Sequence, residues 1–168
     1  KFVVAYSGNL GRVHDLEPVL AVAAALRAEP DIVFVFIGAG AQRASLEAEA
    51  TRRGLTNIQF RPPQPRARLA ETLAVGDVHL VTLLPGCERL VFPSKLYGVA
   101  AVGRPVVFIG PRDCELSRLV VAHHFGLAFT RDATAAIAAS LRQLRDSPGR
   151  CTSLALSAAQ FGEKHSVL

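Results

Sequence analysis

Short β-branched runs alternate along the chain with longer Ala- and Leu-rich stretches that have helical spacing. Residues 2–6 and 32–37 are typical of strands, and the second run contains no polar residue. A strand of that kind is expected where both faces of a sheet are covered. Residues 16–28 lie between these strands and place their Leu and Val side chains on one stripe, which predicts a helix.

The same alternation continues to the end of the chain. Further strands are predicted at residues 58–60, 78–82, 105–109 and 127–129. Further helices are predicted at residues 42–53, 67–75, 94–102, 115–123, 134–145 and 152–161. This repeated alternation, with no linker or break in composition, predicts a single α/β domain over residues 1–168. Its architecture is a doubly wound parallel sheet of about six strands with helices on both faces.

The composition fits a packed globular domain. The chain has 168 residues, half of them apolar and a fifth charged, which excludes disorder and a coiled coil. The longest apolar stretch, residues 19–26, is much shorter than the roughly 20 residues that span a bilayer. The sequence begins at Lys1 without a recognisable leader and contains no Met. We therefore expect this chain to be a piece of a longer protein.

Charge and cysteine content further narrow the possible partners and the cellular compartment of the protein. The net charge of +5 suits an anionic partner such as a phosphate, but the arginines are scattered. With two Tyr and no Trp, a nucleic-acid surface is not expected. Cys87, Cys114 and Cys151 form no CxxC pair, which favours a reducing compartment over a disulfide framework or a zinc ribbon.

Glycines, prolines and unpaired polar residues are concentrated after the first four predicted strands. These loops contain SGNLGRVH at 7–14, GAGA at 38–41, RPPQP at 61–65 and LPGCE at 84–88. In open parallel sheets, ligands bind beyond the carboxyl ends of the strands, where helices begin with free N–H groups. The sequence therefore predicts a ligand site at this edge of the sheet.

Two pairs of glycines are candidates for close approach to that ligand. Gly8 and Gly11 would let the backbone approach an anion at a helix start, although a plain strand-to-helix turn also needs glycine. Gly38 and Gly40 resemble part of a dinucleotide-binding fingerprint. However, Arg43 occupies the third glycine position, and no acidic residue closes the next strand, so this pattern alone is weak.

Lys95 is a stronger candidate for contact with an anion. It follows Ser94, which can cap a helix, so its ammonium lies in the first helical turn. A cation there opposes the helix dipole unless an anion is bound; the alternative is a solvated lysine. Glu88 is an acid in an apolar loop at the ligand edge, and it is either a site residue or a surface residue.

Two other features give weaker indications of chemistry. Cys87 has no His partner at a spacing that would activate it as a nucleophile. His123 and His124 are adjacent, so they point in different directions from a helix, and no HExxH motif or carboxylate cluster accompanies them. No metal site is expected.

The run PSKLYGVAAVGRPVV at 93–107 resembles the PSKLY…AxGRPV segment of family 4 glycosyltransferases, which have the two-domain GT-B architecture. YSGNLGRVHDLE at 6–17 is similar to the first strand and glycine loop of that family's C-terminal domain. VFIGAG, LPGCERLVFPSK and residues 115–126 follow in the expected order, so the likeness covers nearly the whole chain. The most similar members are bacterial enzymes that build extracellular and O-antigen polysaccharides.

The resemblance implies the Rossmann-like, donor-binding half of a retaining enzyme, holding a UDP-type nucleotide sugar with no metal or other cofactor. Its transition state would resemble an oxocarbenium ion facing the departing phosphate. By position, the residues expected at the diphosphate are Gly8, Asn9, Gly11, Arg12, Ser94 and Lys95. Those expected at the base or ribose are Gly38, Gly40, Arg61, Pro62 and Gln64. Lys95 and Glu88 are expected to be catalytic, with Glu88 at the sugar.

This chain departs from the family pattern in two places. Many relatives carry an Arg and a Lys in the first loop, where this chain has Asn9 and His14. Many also have two glutamates, the second of which holds the ribose; here Leu90 and Gly98 occupy those positions. A ribose-binding carboxylate at position 98 is therefore absent, and Glu88 is not simply the first of that pair.

The resemblance also implies a missing N-terminal acceptor domain, so this chain alone is expected to bind nucleotide weakly and to transfer no sugar. The acceptor would be a polysaccharide or lipid-linked, and the protein cytoplasmic, with the full-length enzyme at the inner face of the membrane. Three alternatives remain open: a sugar-nucleotide epimerase of the same architecture, a dinucleotide-binding module, and a non-catalytic scaffold.

Overall fold

The computed structural model describes residues 1–90 and 94–165, and within them six parallel strands form one sheet in the order β3-β2-β1-β4-β5-β6. The strands are β1 (Phe2–Ser7), β2 (Ile32–Ile37), β3 (Ile58–Arg61), β4 (Val78–Thr82), β5 (Val106–Ile109) and β6 (Gly126–Phe129). The α-helices are α1 (Glu17–Ala25), α2 (Arg43–Arg52), α3 (Leu69–Ala74), α4 (Ser94–Ala101), α5 (Glu115–Ala122), α6 (Thr134–Asp146) and α7 (Pro148–His165). A 3-10 turn, Arg66–Arg68, precedes α3.

The helices pack on the two faces of the sheet and form two large apolar cores, and a third, small cluster (Val33, Val35 and Ile37 of β2) lines a groove on one face. Buried side chains of α1, α2 and α6 pack with those of β1 and β2, whereas α3, α4, α5 and α7 pack with β4 and β5. The buried rings of Tyr6, Phe34 and Phe36 belong to the first core, and those of Phe108 and Phe125 to the second. The predicted doubly wound α/β architecture is therefore confirmed.

The strand order reverses between β1 and β4, which are neighbours in the sheet although α1, β2, α2, β3 and α3 separate them along the chain. At such a reversal the loops that follow the two central strands diverge and leave a crevice at the carboxyl edge. At this edge of the fold, the loop after β1, which contains Gly8, packs against the start of α4, which contains Lys95.

The predicted element boundaries differ from the structure mainly at helix ends. The first helix is shorter than predicted, and α7 is longer because Pro148 starts it; proline is tolerated at a first helical position, where its missing N–H has no partner. Gly54 and Gly103, which follow the ends of α2 and α4, both have φ of +63°, the left-handed conformation common after helix ends. Among the helices of the described residues, none has both the length and the apolarity to span a bilayer.

Candidate functional site

The loops after β1 and β2 are joined by backbone hydrogen bonds at the carboxyl edge of the sheet. The N–H of Gly8 donates to the carbonyl of Ile37 at 2.9 Å, and the N–H of Leu10 donates to the carbonyl of Ala39 at 2.9 Å. These bonds continue the pairing of β1 with β2 beyond the sheet. The first glycine loop is therefore held in place by the second loop.

Gly38 and Gly40 make this close packing possible. Both have positive φ, +152° and +153°. A Cβ atom at Gly38 would lie 1.9 Å from the carbonyl oxygen of Gly8, and one at Gly40 would lie 2.6 Å from that of Leu10. Because these two glycines have no side chains, the first loop can lie against them. Their role in the observed structure is therefore one of packing.

Arg43 ties the loop after β2 to the end of β3. Its Nη1 donates to the carbonyl oxygens of Gly38 and Arg61, the latter at 2.7 Å, and its Nε donates to Glu47 at 2.8 Å. The guanidinium also lies 6.0 Å from the centre of the Phe60 ring. The residue that breaks the dinucleotide fingerprint is therefore a structural link between two loops of the site.

Gln42 holds the first loop in a similar way, through hydrogen bonds from its side chain. Its Nε2 donates to the carbonyl of Gly11 and, at 3.0 Å, to that of His14. Sequence reasoning missed both Gln42 and Arg43 because polar side chains at a helix start do not reveal which distant carbonyls they reach. The only sequence signal was the position of Arg43 in place of a glycine.

Lys95, the second residue of α4, directs its amine onto the ring of Tyr6. Nζ lies 3.3 Å from the ring centre, is buried, and has no hydrogen-bond partner among the described residues. Burial lowers the pKa of Lys95 to about 7 because removal from water disfavours the charged form. A Cβ atom at Gly8 would lie 3.1 Å from Lys95 Cε, so this side chain lies directly against the glycine loop.

His14 lies on the other side of this arrangement. Its Nδ1 donates to the carbonyl of Thr82 at 3.0 Å, which requires the proton on Nδ1 in the neutral ring because a carbonyl only accepts. Its ring meets that of Tyr6 edge-on, with 5.9 Å between centres. Burial is the main cause that lowers the pKa of His14; the charge of Lys95 lowers it further, and the Thr82 carbonyl opposes both.

A cleft of about 280 Å³ opens beside the glycine loops. Its lining includes four of the predicted site residues and a turn of α3: Ser7, Gly8, Asn9, Ile37, Gly38, Ala39, Pro63, Gln64, Leu69 and Thr72. Arg61 and Pro62 line a neighbouring groove of about 430 Å³ along the sheet face, which shares Ile37, Gln64 and Thr72 with the cleft. Of the predicted base or ribose residues, Gly38 and Gln64 line the cleft and Arg61, Pro62 and Gln64 line the groove, whereas Gly40 lines neither.

Comparison with known proteins assigns the chain to a family. Residues 1–147 match the family described as "Glycosyl transferases group 1". The chain belongs to the group 1 glycosyltransferases. The family predicted from the PSKLY segment and the first glycine loop is therefore confirmed, although Pro93 of that segment lies outside the described residues.

Two curated glycosyltransferases resemble this domain in sequence. It is 41% identical over 119 residues to WcaI of Escherichia coli (strain K12), named as a glycosyl transferase of colanic acid biosynthesis; the match covers 71% of this chain and 29% of WcaI. It is 32% identical over 120 residues to the glycosyltransferase WbjE of Pseudomonas aeruginosa, covering 71% of this chain and 30% of WbjE. The matched part is therefore less than a third of each relative's length.

Solved structures agree on the fold of this glycosyltransferase domain. The crystal structure of Anabaena HepE in complex with UDP and glucose superposes with a TM-score of 0.77 at 16% identity, over 98% of this chain and 44% of HepE. At that identity the similarity concerns the fold alone. The fold is the Rossmann-like half of a GT-B glycosyltransferase.

The remaining predicted site residues of the glycosyltransferase domain lie at the same carboxyl edge but are solvent-exposed. Arg12 and Glu88 are exposed in the loops after β1 and β4, and Ser94 is exposed as the first residue of α4. The N–H of Leu84 donates to the carbonyl of Val13 at 2.9 Å, so these two loops are in contact. Gly11, in contrast, is buried in the first loop.

The histidine pair lies elsewhere in the glycosyltransferase domain. His123 packs on Phe161 of α7, with 4.8 Å between ring centres, and His124 has a φ of 54° at the end of α5. Over residues 1–90 and 94–165, no group of three or more His, Cys, Asp or Glu side chains is placed to hold a metal ion.

Proposed function

We propose that this glycosyltransferase domain binds the donor, a nucleoside diphosphate sugar with UDP as the nucleotide, for a retaining GT-B enzyme. The observation that carries the proposal is the Lys95 amine. It is buried at the start of α4, and none of the described residues accepts a hydrogen bond from it. A buried amine without an acceptor destabilises the free protein, and a bound anion would remove that penalty.

The surroundings of Lys95 suit a diphosphate in particular. Departure of a nucleoside diphosphate from a sugar leaves negative charge on the phosphate oxygens, which fixed cations and helix N-terminal N–H groups stabilise. Lys95 would donate to a terminal phosphate oxygen, and its side chain lies directly against the glycine loop at Gly8. Asn9, Gly11, Arg12 and Ser94 complete the proposed diphosphate set.

The cleft beside the glycine loops and the groove adjoining it would hold the nucleoside. Gln64 lines both cavities, and Arg61 and Pro62 line the groove, so these residues would frame the base. Glu88, in the loop before α4, would contact the transferred sugar. We assign Gly40 to shaping this site rather than to direct contact, because the first loop occupies the space beside it. Gly38 packs against the same loop and also lines the cleft.

The relatives support the wider setting of this proposal. WcaI and WbjE are more than three times as long as the parts matched here, which leaves room for an acceptor domain in the whole protein. WcaI is named for colanic acid biosynthesis, so we propose an acceptor that is a polysaccharide or lipid-linked, reached at the cytoplasmic face of the membrane. This chain without an acceptor domain would bind donor and transfer no sugar.

The dinucleotide-binding alternative is disfavoured by the packing of its own motif. In that function the backbone at Gly38 and Gly40 would receive the phosphates, but in this fold the first loop lies against both glycines. Arg43 occupies the third glycine position and is already bonded to two carbonyls. The epimerase alternative shares the donor site and differs only in needing no acceptor.

Calorimetric titration of this chain with UDP, GDP and NADPH tests the proposal, with circular dichroism to confirm folding. We expect heat with UDP and none with NADPH. Absence of binding by both UDP and GDP to folded protein would reject the donor-site assignment. Epimer products from the longer protein without acceptor would favour the epimerase.

A further inference from the structure

Three side chains from different elements form one compact arrangement at the candidate diphosphate site. The Tyr6 ring has Lys95 Nζ over its face at 3.3 Å and the His14 ring at its edge, 5.9 Å between centres. The Tyr6 hydroxyl donates to the carbonyl of Asn9 at 2.9 Å, which fixes the ring against the first loop. Two basic groups are thereby held on one aromatic ring.

No carboxylate of the described residues pairs with either basic group. Asp15, beside His14 in sequence, is bound to Arg131, with Nε to Oδ2 at 2.7 Å. The other histidine near Lys95 is His79, which donates from Nε2 to the carbonyl of Leu73 at 2.7 Å.

Neither neighbouring titratable group supplies a charge near neutral pH. Burial raises the pKa of Tyr6 far above its usual range, so the phenol is neutral. Burial lowers the pKa of His79 to about 4, so that imidazole is neutral as well. The Lys95 and His14 pair therefore lies in an apolar setting without a counter-ion.

Building on the proposed donor site, we propose that His14 is a second ligand of the donor diphosphate and that the His14 and Lys95 pair takes up a proton from solvent when the diphosphate binds. The proton adds to Nζ of Lys95 or to Nε2 of His14, and no covalent bond to the nucleotide forms or breaks. His14 Nε2 is the available ring nitrogen because Nδ1 is already bonded to Thr82.

The direction of the effect follows from the charges. Without ligand, burial disfavours the positive charge of both groups, and the charge of Lys95 further disfavours that of His14, so the pKa of each lies below its usual value. A diphosphate brings at least two negative charges and favours both protonated forms. The apparent affinity for diphosphate should therefore fall as the pH rises above about 7, approaching tenfold per unit where one proton is taken up.

Calorimetry with UDP at pH 8 in Tris and in HEPES, buffers of different ionisation enthalpy, measures the proton uptake directly. Close to one proton per UDP is expected from the protein, since the terminal phosphate of UDP, with a pKa near 6, is already ionised. Lys95→Arg keeps a charge that cannot dissociate, so its uptake at pH 8 should be lost. If Lys95→Arg does not fold, Lys95→Met serves the same comparison.

The role of His14 is tested at pH 6.5 by comparing the proton uptake of His14→Asn with that of the wild type. The change in protonation of UDP itself is common to both proteins and cancels in the difference. His14→Asn should take up fewer protons and bind UDP more weakly, whereas the matched control His123→Asn should behave as wild type.

The outcomes separate this inference from the proposed function. UDP binding with no proton uptake and constant affinity from pH 7 to 9 would overturn the coupling and leave the donor site intact. An unchanged uptake in His14→Asn at pH 6.5 would remove His14 from the pair. Failure of UDP to bind at every pH would reject the donor site itself.

Discussion

The amine of Lys95 lies 3.3 Å from the centre of the Tyr6 ring, so a residue of α4 is held by a residue of β1 across the crevice. A desolvated cation–π contact contributes about 2 kcal/mol, which is enough to orient the amine. A carboxylate in the same place would neutralise it and compete with a phosphate. The aromatic ring therefore holds the amine in place while leaving its hydrogen-bonding capacity unused.

Lys95→Met should increase or preserve the stability of the free protein while weakening UDP binding. Met has a similar length, packs well on aromatic rings and removes a buried amine that has no acceptor in the described structure. The lost charged hydrogen bond should reduce the binding free energy by about 1.5–3 kcal/mol. Thermal unfolding and calorimetry measure the two effects, and lower stability with unchanged UDP affinity would contradict this role.

Three Gly→Ala variants should separate the packing role from the binding role. Gly38→Ala should prevent folding, because its Cβ would lie 1.9 Å from a backbone oxygen. Gly8→Ala should fold and bind UDP more weakly, since its Cβ would press on the Lys95 side chain at 3.1 Å. Gly54→Ala is the control: it meets nothing within 4 Å and should lose only about 1–2 kcal/mol from its positive φ.

Thermal unfolding with UDP titration ranks these variants. Equal loss of UDP affinity in Gly8→Ala and Gly54→Ala would show that the loss at position 8 is a general effect of strain. A stable Gly38→Ala protein would contradict the close packing of the first two loops.

Gln42→Ala should loosen the first loop. It removes two donated hydrogen bonds, to the carbonyls of Gly11 and His14, and should reduce the free energy of unfolding by about 1–3 kcal/mol. UDP affinity should fall as well, because the loop would have to be ordered on binding. Urea unfolding and calorimetry check both, and Gln160→Ala, the same substitution at an exposed position of α7, is a matched control.

His79 should make stability depend on acid pH. Its pKa of about 4 in the folded chain lies below the usual value of 6.5, so the unfolded chain binds the proton first as the pH falls. The free energy of unfolding should therefore decrease between pH 6.5 and 4, by up to about 3 kcal/mol from this residue. Urea unfolding across that range should show that the free energy of unfolding decreases less steeply with falling pH in His79→Gln than in the wild type.

His124→Asn controls for the loss of any histidine, because His124 is exposed and Asn tolerates its φ of 54°. Its slope should match that of the wild type. The same slope in His79→Gln and in the wild type would show that another group causes the pH dependence.

The alternation of elements was predictable because each buried strand and each amphipathic helix has its own period in the sequence. The family was predictable from the PSKLY segment. The conflict between a cation and a helix N-terminus made Lys95 a candidate for contact with an anion, and that role stays a prediction. The reversal at β1 and β4 then places the Gly8 loop beside Lys95, as the rule for open parallel sheets requires.

What the sequence did not reveal depends on contacts between distant residues. The partner of the Lys95 amine is a ring 89 positions earlier, and no local pattern indicates that Tyr6 rather than a carboxylate faces it. Gly38 and Gly40 were predicted to bind the base or ribose because glycine pattern alone does not separate close approach to a ligand from close approach to another loop. The structure places the Gly8 loop beside them.

A crystal structure of this chain with UDP is the most direct test of the central claim. We predict that UDP lies between the Gly8 loop and the start of α4, with Lys95 Nζ about 2.7–2.9 Å from an oxygen of the terminal phosphate. UDP bound with its diphosphate away from Lys95, and the amine still against the Tyr6 ring without an acceptor, would contradict the account.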